Sequence, residues 1–212
     1  MTEEDFETLM LLVSPQKRER IRKFRFFRDA SNTLIGELLI RMEICKRTGL
    51  QNDQLNFSTT AHGKPFLVNN QQIQFNISHS GNYVVAAIDD KQVGIDVELK
   101  KPIDLKIAER FFSADETAYV FSHPTQSENV CKAFFEIWTK KESLIKWDGQ
   151  GMSKSLSSFS VLQKEDDSPH YFCVFENDTA ICHVCTMQMN PPPLNLILLE
   201  TLLSWCNSTV TE

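Results

Sequence analysis

The sequence predicts an α+β protein, and three observations carry that prediction. Helical and strand-like segments come in blocks, with helices first, then strands, then helices and strands again. Segment 127–147 has the apolar spacing of a long helix, whereas 83–97 alternates as strands do. The strongest strands meet near residues 88–94, so we expect two similar halves joined there. A chain of 212 residues suits one large domain or two small ones.

The chain is predicted to begin with two helices. Ser14-Pro15 is a helix start, because serine is a favoured N-cap and proline is tolerated at the first helical position. This helix would run towards Arg28. Asp29 or Ser31 would cap the second helix, which would end at Gly49 in the position that favours a left-handed residue.

Strands are expected in the middle of the chain and near its end. They are predicted at 55–57, 66–68, 83–88, 93–97, 158–162, 171–175 and 180–187. Residues 89–92 have the length of a hairpin loop between two of these strands. Further helices are predicted at 103–110, from the capping box of Ser113 and Glu116, and at 127–147. After 191–193, which are all proline, an apolar tail runs from Leu194 to Trp205.

Composition excludes several classes of protein. The net charge of -6 argues against nonspecific binding of nucleic acid by the whole chain. The acidic start lacks the pattern of a signal peptide, and no apolar run reaches the length of a membrane span. Six scattered cysteines without an export signal favour free thiols and a cytoplasmic location. The Cys182–Cys185 segment resembles half of a zinc knuckle, but it is more typical of a buried strand.

The segment 93–98 carries the clearest chemical signal. Asp96 and Glu98 alternate with Val93, Ile95 and Val97, so in a strand the two carboxylates project from the same face. Neighbouring carboxylates repel each other unless a cation lies between them, and Mg²⁺ is a hard cation that also accepts phosphate oxygens. The segment therefore indicates a metal site for a phosphorylated substrate. The alternative is a half-buried strand with an acidic outer face.

Basic residues in the first half suggest where phosphate would bind. Lys17, Arg20 and Lys23 recur every three positions and therefore lie near one helix face, which suits a phosphate group or a solvated surface. The Gly63-Lys64-Pro65 segment is a turn that carries a cation. In the run 76–81, His79 follows small polar residues, and an imidazole there could donate to a diphosphate oxygen or satisfy local backbone groups.

The long helix adds a second carboxylate and a second cation. Glu142 and Lys146 are four residues apart and share one helix face. A surface ion pair is one interpretation, worth about 0.3–0.5 kcal/mol. The other gives Glu142 to a metal and Lys146 to a phosphate. Trp138, one turn earlier, is expected to pack in the core.

Five segments together resemble a known family. In chain order they are Gly63–Pro65, Phe75–Ser80, Val93–Glu98, Arg110–Ser113 and Trp138–Lys146. Their order and spacing are those of the Sfp-type 4′-phosphopantetheinyl transferases, and the resemblance runs from about Ser14 to Val161. The family usually begins with a short strand ahead of the basic helix, and this chain lacks one, which leaves the first lobe with an exposed sheet edge or the start misassigned.

The resemblance implies a fold and a reaction. The fold would be a pseudo-twofold α+β monomer of two lobes, residues 1–90 and 91–212, with coenzyme A in the cleft between them. The reaction would move the phosphopantetheine arm of coenzyme A to a serine of an acyl or peptidyl carrier protein, releasing 3′,5′-ADP. Such activation serves nonribosomal peptide, antibiotic, polyketide or fatty acid synthesis. The alternative is a catalytically weak module that binds coenzyme A or the carrier protein.

The resemblance also implies roles for individual residues. The metal ligands for Mg²⁺ would be Asp96, Glu98 and Glu142, and the catalytic residues would be Glu142, Lys146 and His79. Coenzyme A would be bound by Lys17, Arg20, Thr33, Lys64, Pro65, Ser78, His79, Lys141 and Lys146. Two points stay open at this stage. The base is either Glu142 or a metal-bound hydroxide, and Glu116 either joins the metal shell or only caps its helix.

Overall fold

The computed structural model describes residues 1–124, 127–151, 154–163 and 166–210. Helices and strands are mixed, as the predicted α+β class requires. The helices are α1 (Glu3–Met10), α2 (Pro15–Arg22), α3 (Phe27–Thr48), α4 (Lys106–Phe111), α5 (Ala114–Phe121), α6 (Glu128–Asp148) and α7 (Leu199–Val210). The strands are β1 (Phe57–Thr59), β2 (Pro65–Leu67), β3 (Gln74–Ser80), β4 (Tyr83–Asp89), β5 (Val93–Leu99), β6 (His170–Glu176) and β7 (Ala180–Thr186).

The strands form separate sheets in the two halves of the chain. In the first half, β1 pairs with β2 and β3 pairs with β4, both antiparallel. In the second half, β5, β7 and β6 form one antiparallel sheet in that order. We call the first half with β1–β4 the first lobe and the part built on β5–β7 the second lobe.

The hairpin predicted at residues 89–92 is wrong. Strand β4 pairs back onto β3 through the tight turn at Gly81, whose φ of 59° is the left-handed value that glycine adopts freely. Strand β5 pairs instead with β7, more than eighty positions further along the chain. The short segment after Asp89 therefore carries the chain from one lobe to the other.

Helix boundaries follow the capping residues only in part. Ser14 caps α2 by accepting from the N–H of Lys17, as predicted, although the helix ends at Arg22 rather than near Arg28. Helix α3 begins at Phe27 without a side-chain cap, so the predicted caps at Asp29 and Ser31 are wrong. Helix α1 was not predicted; its capping box is formed by Thr2 and Asp5.

The second lobe matches the prediction better. Ser127 caps α6, and Gly149 ends it with a φ of 73°. Residues 158–162 do not form the predicted strand; a 3-10 turn at Leu156–Ser158 ends at the first of them, and the others belong to no helix or strand. The Cys182–Cys185 segment lies within β7 and is buried, and all six cysteines are free thiols.

Packing places the last helix with the first lobe. Leu202 and Cys206 of α7 are buried against Leu34 and Leu38 of α3. The apolar face of α6 forms a second core, in which Trp138 stacks on Phe134, as expected. A third core lies between the lobes, where apolar side chains of β5 and β7 meet those of β4. The assignment of 91–212 to a single lobe therefore does not describe α7.

Two glycines allow helices to approach the sheets closely. A Cβ atom at Gly94 of β5 would lie 2.0 Å from the carbonyl oxygen of Ser143 on α6. A Cβ atom at Gly36 of α3 would lie 2.6 Å from the side chain of Ile77 on β3. Because Gly94 has no side chain, α6 can lie directly on the strand that carries Asp96 and Glu98. None of the described helices is both long and apolar enough to cross a membrane.

Candidate active site at the junction of the lobes

Strands β3 and β5 run side by side and are joined through side chains. Three alternate residues of β3 each accept a hydrogen bond from a backbone N–H of β5. The pairs are Asn76 with Ile95 at 2.9 Å, Ser78 with Val97 at 3.4 Å, and Ser80 with Leu99 at 3.1 Å. Both members of each pair advance by two residues, so the strands run in the same direction. We call this contact the polar seam; it fixes the first lobe against the second.

The two serines of the polar seam also contact the carboxylates of β5. The hydroxyl of Ser78 donates to Oδ1 of Asp96 at 2.9 Å, and the hydroxyl of Ser80 donates to Oε2 of Glu98 at 2.8 Å. Each serine thus accepts from the backbone of β5 and donates to a carboxylate on the same strand. This double bonding orients Asp96 and Glu98 from the first lobe.

Helix α6 brings a cation and a third carboxylate to the same place. Nζ of Lys146 lies 2.5 Å from Oδ1 of Asp96 and 2.8 Å from the hydroxyl oxygen of Ser78. Glu142, one helical turn earlier, is half-buried, and none of the described residues donates a hydrogen bond to its carboxylate. The approach of α6 to Gly94 makes both placements possible.

The three carboxylates lie near enough to affect one another. Burial raises the pKa of Glu142, and the negative charges of Asp96 and Glu98 raise it further, against the opposing effect of Lys146. Burial also raises the pKa of Glu98, which the Ser80 hydrogen bond opposes and the charge of Asp96 reinforces. Burial raises the pKa of Asp96, although Lys146 and Ser78 favour its charged form. Such a group of mutually repelling carboxylates would gain from a cation.

The donor set fits a hard divalent cation without forming a closed site. Within the described ranges, no three His, Cys, Asp or Glu side chains converge as a ready metal-binding group. Oδ2 of Asp96, however, is buried and has no hydrogen-bond partner, and an orphaned buried carboxylate oxygen is costly unless a cation or proton satisfies it. Carboxylate oxygens are the ligands that Mg²⁺ prefers. The residues present therefore fit Mg²⁺, with Lys146 now paired to one of its expected ligands.

The predicted phosphate contacts of α2 and α3 differ in how they are paired. Nζ of Lys17 lies 2.9 Å from Glu37, whose other oxygen lies 2.9 Å from Arg41. Arg20, one turn further along α2, is exposed and has no ion pair among the described residues. Thr33 is partly buried on α3. Arg20 is therefore the cation of α2 most available to a phosphate.

Lys64 crosses from the first lobe to the end of α6. Its ammonium donates to the carbonyl oxygen of Trp147 at 3.0 Å and to that of Val93 at 3.3 Å. Carbonyls at a helix C-terminus carry partial negative charge and attract cations. Burial lowers the pKa of Lys64 to about 8, against the opposing charge of Asp148. Pro65 follows at the start of β2, after a turn in which Gly63 has a φ of 84°.

His79 lies on β3 between the two serines of the polar seam. Desolvation by neighbouring groups lowers the pKa of His79; the charge of Asp29 opposes this shift and that of Lys146 reinforces it. The ring is therefore mainly neutral near pH 7 and keeps one N–H donor. On a strand, His79 projects from the face opposite to Ser78 and Ser80.

Lys141 is not placed where its predicted role requires. Its side chain is fully buried, and Nζ lies 2.6 Å from Glu116 and 2.8 and 2.6 Å from the carbonyl oxygens of Leu156 and Phe159. A lysine ammonium has three N–H donors, and all three are used. We therefore remove Lys141 from the proposed coenzyme A contacts.

Glu116 caps its helix and does not reach the metal site. One carboxylate oxygen accepts from the N–H of Ser113 at 2.8 Å and the other accepts from the N–H of Val161 at 2.8 Å. The capping box of α5 is thus confirmed, and both oxygens are engaged. Of the two roles left open by the sequence, the structure supports the cap.

Two residues of the site were not singled out from the sequence. Like Ser78, Asn76 and Ser80 accept hydrogen bonds from backbone N–H groups of β5. Their spacing of two residues on either side of Ser78 is the signal that could have identified them, because alternate residues of a strand share a face.

Comparison with known proteins identifies the family of the chain. The family model described as 4′-phosphopantetheinyl transferase, N-terminal, matches residues 1–91, and the model described as 4′-phosphopantetheinyl transferase superfamily matches residues 92–192. Among similar proteins, 4′-phosphopantetheinyl transferase Sfp of Bacillus subtilis (strain 168) is 36% identical over 215 residues, covering 96% of this chain and 95% of that protein.

Two further relatives extend the comparison. The 4′-phosphopantetheinyl transferase psf-1 of Bacillus pumilus is 47% identical over 160 residues, 76% of this chain and 68% of that protein. The 4′-phosphopantetheinyl transferase gsp of Aneurinibacillus migulanus is 37% identical over 166 residues, 78% of this chain and 68% of that protein. The matched family models together span most of the chain, including every residue of the junction described above. This chain belongs to the Sfp-type 4′-phosphopantetheinyl transferases.

Proposed function

We propose that the chain transfers 4′-phosphopantetheine from coenzyme A to a carrier-protein serine with Mg²⁺ held by Asp96, Glu98 and Glu142. The observation that carries the proposal is the buried, unpartnered Oδ2 of Asp96 beside two further carboxylates of raised pKa. When bound, the metal would neutralise charge on the diphosphate. This reaction needs alignment and neutralisation of charge more than covalent help from the protein.

The remaining residues of the junction bind and orient the donor in this proposal. Lys146 stabilises the charge that develops on the departing 3′,5′-ADP, because its ammonium lies at the carboxylates and is partly exposed. Ser78 orients Asp96 through its one hydroxyl proton, and His79, on the opposite face of β3, donates a hydrogen bond to a phosphate of coenzyme A. The first-lobe contacts for the nucleotide end of coenzyme A are Lys17, Arg20, Thr33, Lys64 and Pro65.

Glu142 is the base that we propose for the acceptor serine. Its carboxylate receives no hydrogen bond from the described residues, and burial raises its pKa above the ordinary value, which makes it a stronger base than an ordinary carboxylate. The serine proton would move to Glu142 as the serine oxygen attacks the β-phosphorus of coenzyme A. The P–O bond to 3′,5′-ADP breaks in the same displacement.

The acceptor that we propose is an acyl or peptidyl carrier domain, as in the nonribosomal synthesis of peptide antibiotics. All the groups assigned above come from one chain, so we propose that a monomer is active. The second candidate is a binding module that holds coenzyme A or the carrier without efficient transfer. The pairing of Lys146 with a metal ligand favours this candidate unless coenzyme A displaces the lysine.

One assay separates the two candidates. The chain is incubated with coenzyme A, Mg²⁺ and an apo-carrier protein, and the mass of the carrier is measured with and without excess chelator. We expect the carrier to gain one phosphopantetheine arm only when Mg²⁺ is available. Binding of coenzyme A without any gain of mass would establish the binding module, and full transfer in excess chelator would exclude the metal site.

A further inference from the structure

The ammonium of Lys146 compensates the negative charge of Asp96, which a bound metal ion would otherwise compensate. This ammonium and the hydroxyl of Ser78 both bond to the same oxygen of Asp96, Oδ1, at 2.5 and 2.9 Å. The second oxygen of Asp96 is buried and receives nothing. One oxygen of the carboxylate is thus paired with a cation of the protein itself, and the other is left without a partner.

This ion pair is exchangeable in a way that a core ion pair is not. The side chain of Lys146 is 27% exposed, whereas that of Asp96 is 5% exposed. A lysine carries its charge on a flexible four-carbon stem, so the ammonium can move several ångströms without any change in the helix. Asp96 is held by the polar seam and cannot follow it. An anionic ligand in the cleft would offer the ammonium another partner.

Charge determines what this arrangement does to a metal. A divalent cation bound at Oδ2 of Asp96 would face a positive charge on the same carboxylate, which disfavours it. The diphosphate of coenzyme A removes this conflict, because it can accept the ammonium and also contribute oxygens to the metal. Metal and coenzyme A should then bind better together than separately.

We propose that Lys146 acts as a place-holding cation, paired with Asp96 in the free enzyme and transferred to the diphosphate when coenzyme A binds. The inference rests on the proposed function, since it assigns a binding order to the same site. It predicts that the metal binds weakly alone and tightly with coenzyme A. Coupling between two ligands is reciprocal, so the metal should strengthen coenzyme A binding by the same factor, typically about 5–150-fold.

The neighbouring lysines of α6 supply a matched control. Lys140 is half-buried and pairs with Glu136 at 2.6 Å, so replacing it with methionine removes one charge from the same helix without touching the carboxylates of β5. The variant Lys140→Met and the variant Lys146→Met therefore have the same net charge. A difference between them reports on position rather than on total charge.

The test measures Mn²⁺, used as a paramagnetic probe, by electron paramagnetic resonance on the full chain with and without coenzyme A. No carrier is added, and protein-free samples correct for binding of Mn²⁺ to coenzyme A. We expect the wild-type protein and Lys140→Met to bind Mn²⁺ weakly alone and about 5–150-fold more tightly with coenzyme A. Lys146→Met should bind Mn²⁺ alone about tenfold more tightly than wild type and show a smaller gain with coenzyme A.

Two outcomes separate this inference from the proposed function. If wild type modifies an apo-carrier but Lys146→Met binds Mn²⁺ alone no more tightly than wild type, the place-holding role is excluded and the transferase assignment stands. If wild type binds no Mn²⁺ even with coenzyme A, both are excluded. Circular dichroism melting of each variant confirms that the comparison is made between folded proteins.

Discussion

Among the lysine–carboxylate pairs of helix α6, two differ in how completely they are hydrogen-bonded rather than in distance. Lys141 lies 2.6 Å from Glu116, and Lys146 lies 2.5 Å from Asp96. The first pair is 1% and 0% exposed, and every donor and acceptor in it is used. The second pair is 27% and 5% exposed, and one carboxylate oxygen has no partner. We call them the closed pair and the open pair.

The comparison separates a structural ion pair from a functional one. A buried pair with all its hydrogen bonds made gains nothing from a ligand and loses much if one member is removed. A pair that leaves a buried oxygen without a hydrogen bond can bind another cation. The partly exposed lysine can move aside so that this cation reaches the oxygen. Each prediction below tests one side of this contrast.

The largest effect is expected in the closed pair. Lys141→Met leaves the buried carboxylate of Glu116 without its cation and should lower the free energy of unfolding by about 3–5 kcal/mol. Urea denaturation followed by tryptophan fluorescence measures the loss. The double variant Lys141→Met/Glu116→Gln removes both charges and should recover part of it. A loss below about 1 kcal/mol for the single variant would show that the pair is not closed.

The next effect is expected in the open pair, and it concerns rate rather than stability. Asp96→Asn keeps the shape but removes the charge that faces the metal, so transfer should fall about 10²–10³-fold, a change of roughly 3–4 kcal/mol in the barrier. The measurement is the rate of carrier modification by mass spectrometry, with the melting temperature recorded beside it. If Asp96→Asn lowers the melting temperature so far that unfolding accounts for the loss of rate, Asp96 is a structural residue.

A smaller effect is expected where the polar seam orients Glu98. Ser80→Ala removes the hydroxyl that donates to this carboxylate at 2.8 Å, and partners of metal ligands typically contribute about 10–100-fold to metal affinity. Titration with Mn²⁺ in the presence of coenzyme A measures the effect. The control is Ser160→Ala, whose hydroxyl donates to Asp115 in the second lobe. Equal affinities for the two variants would remove Ser80 from the site.

The smallest effect is a gain of stability at neutral pH. Because the pKa of Glu142 is raised in the folded protein, its contribution to stability is fully present below the ordinary value of 4.5 and is lost as pH rises through the raised pKa. Glu142→Gln cannot ionise and should therefore be more stable than wild type at neutral pH, by on the order of 1 kcal/mol.

The pH dependence provides the check on this last prediction. The advantage of Glu142→Gln should shrink as the pH approaches about 4, where the wild-type carboxylate becomes protonated as well. Urea denaturation at both pH values measures it. Glu109→Gln, at an exposed position on α4, serves as the control and should show no such gain. A variant less stable than wild type at neutral pH would mean that the ionised Glu142 is already satisfied.

The sequence predicted the pieces of the open pair because periodicity alone determines them. Asp96 and Glu98 share a face since alternate residues of a strand do, and Glu142 and Lys146 share a face since they are one helical turn apart. The role of Gly94, where α6 contacts β5, gave no signal in the sequence. Its role depends on α6 crossing β5 at that residue, which is a property of tertiary packing.

Lys141 of the closed pair was wrongly predicted to contact coenzyme A, and the sequence itself contains the evidence against that role. Lys141 immediately precedes Glu142 in the charged run 140–142, yet successive helical residues point about 100° apart. Lys141 is instead in phase with Phe134, Ile137 and Ile145, all of which are buried. The apolar periodicity of α6 therefore places this lysine on the core face. The neighbouring charges suggested a role at the site instead.

The crossing between the lobes shows where local pattern reasoning fails. Four residues between two strands have the length of a hairpin loop, but hairpin pairing requires that both strands have a free edge towards each other. Strand β4 bonds to β3 through a local turn, strand β5 bonds to the distant β7, and the other edge of β5 faces β3 at the polar seam. These pairings together decide the topology, and the segment 89–92 does not record them.

The central claim is that the open pair, and not the closed pair, is the site of transfer. The most direct test measures the rate at which an apo-carrier gains the phosphopantetheine arm, for wild type, Asp96→Asn and Lys141→Met/Glu116→Gln, well below the melting temperature of each protein. We predict that the double variant stays within about tenfold of wild type, a difference of roughly 1.4 kcal/mol, whereas Asp96→Asn falls at least about 100-fold. A double variant as slow as Asp96→Asn, or an Asp96→Asn variant as fast as wild type, would contradict the account.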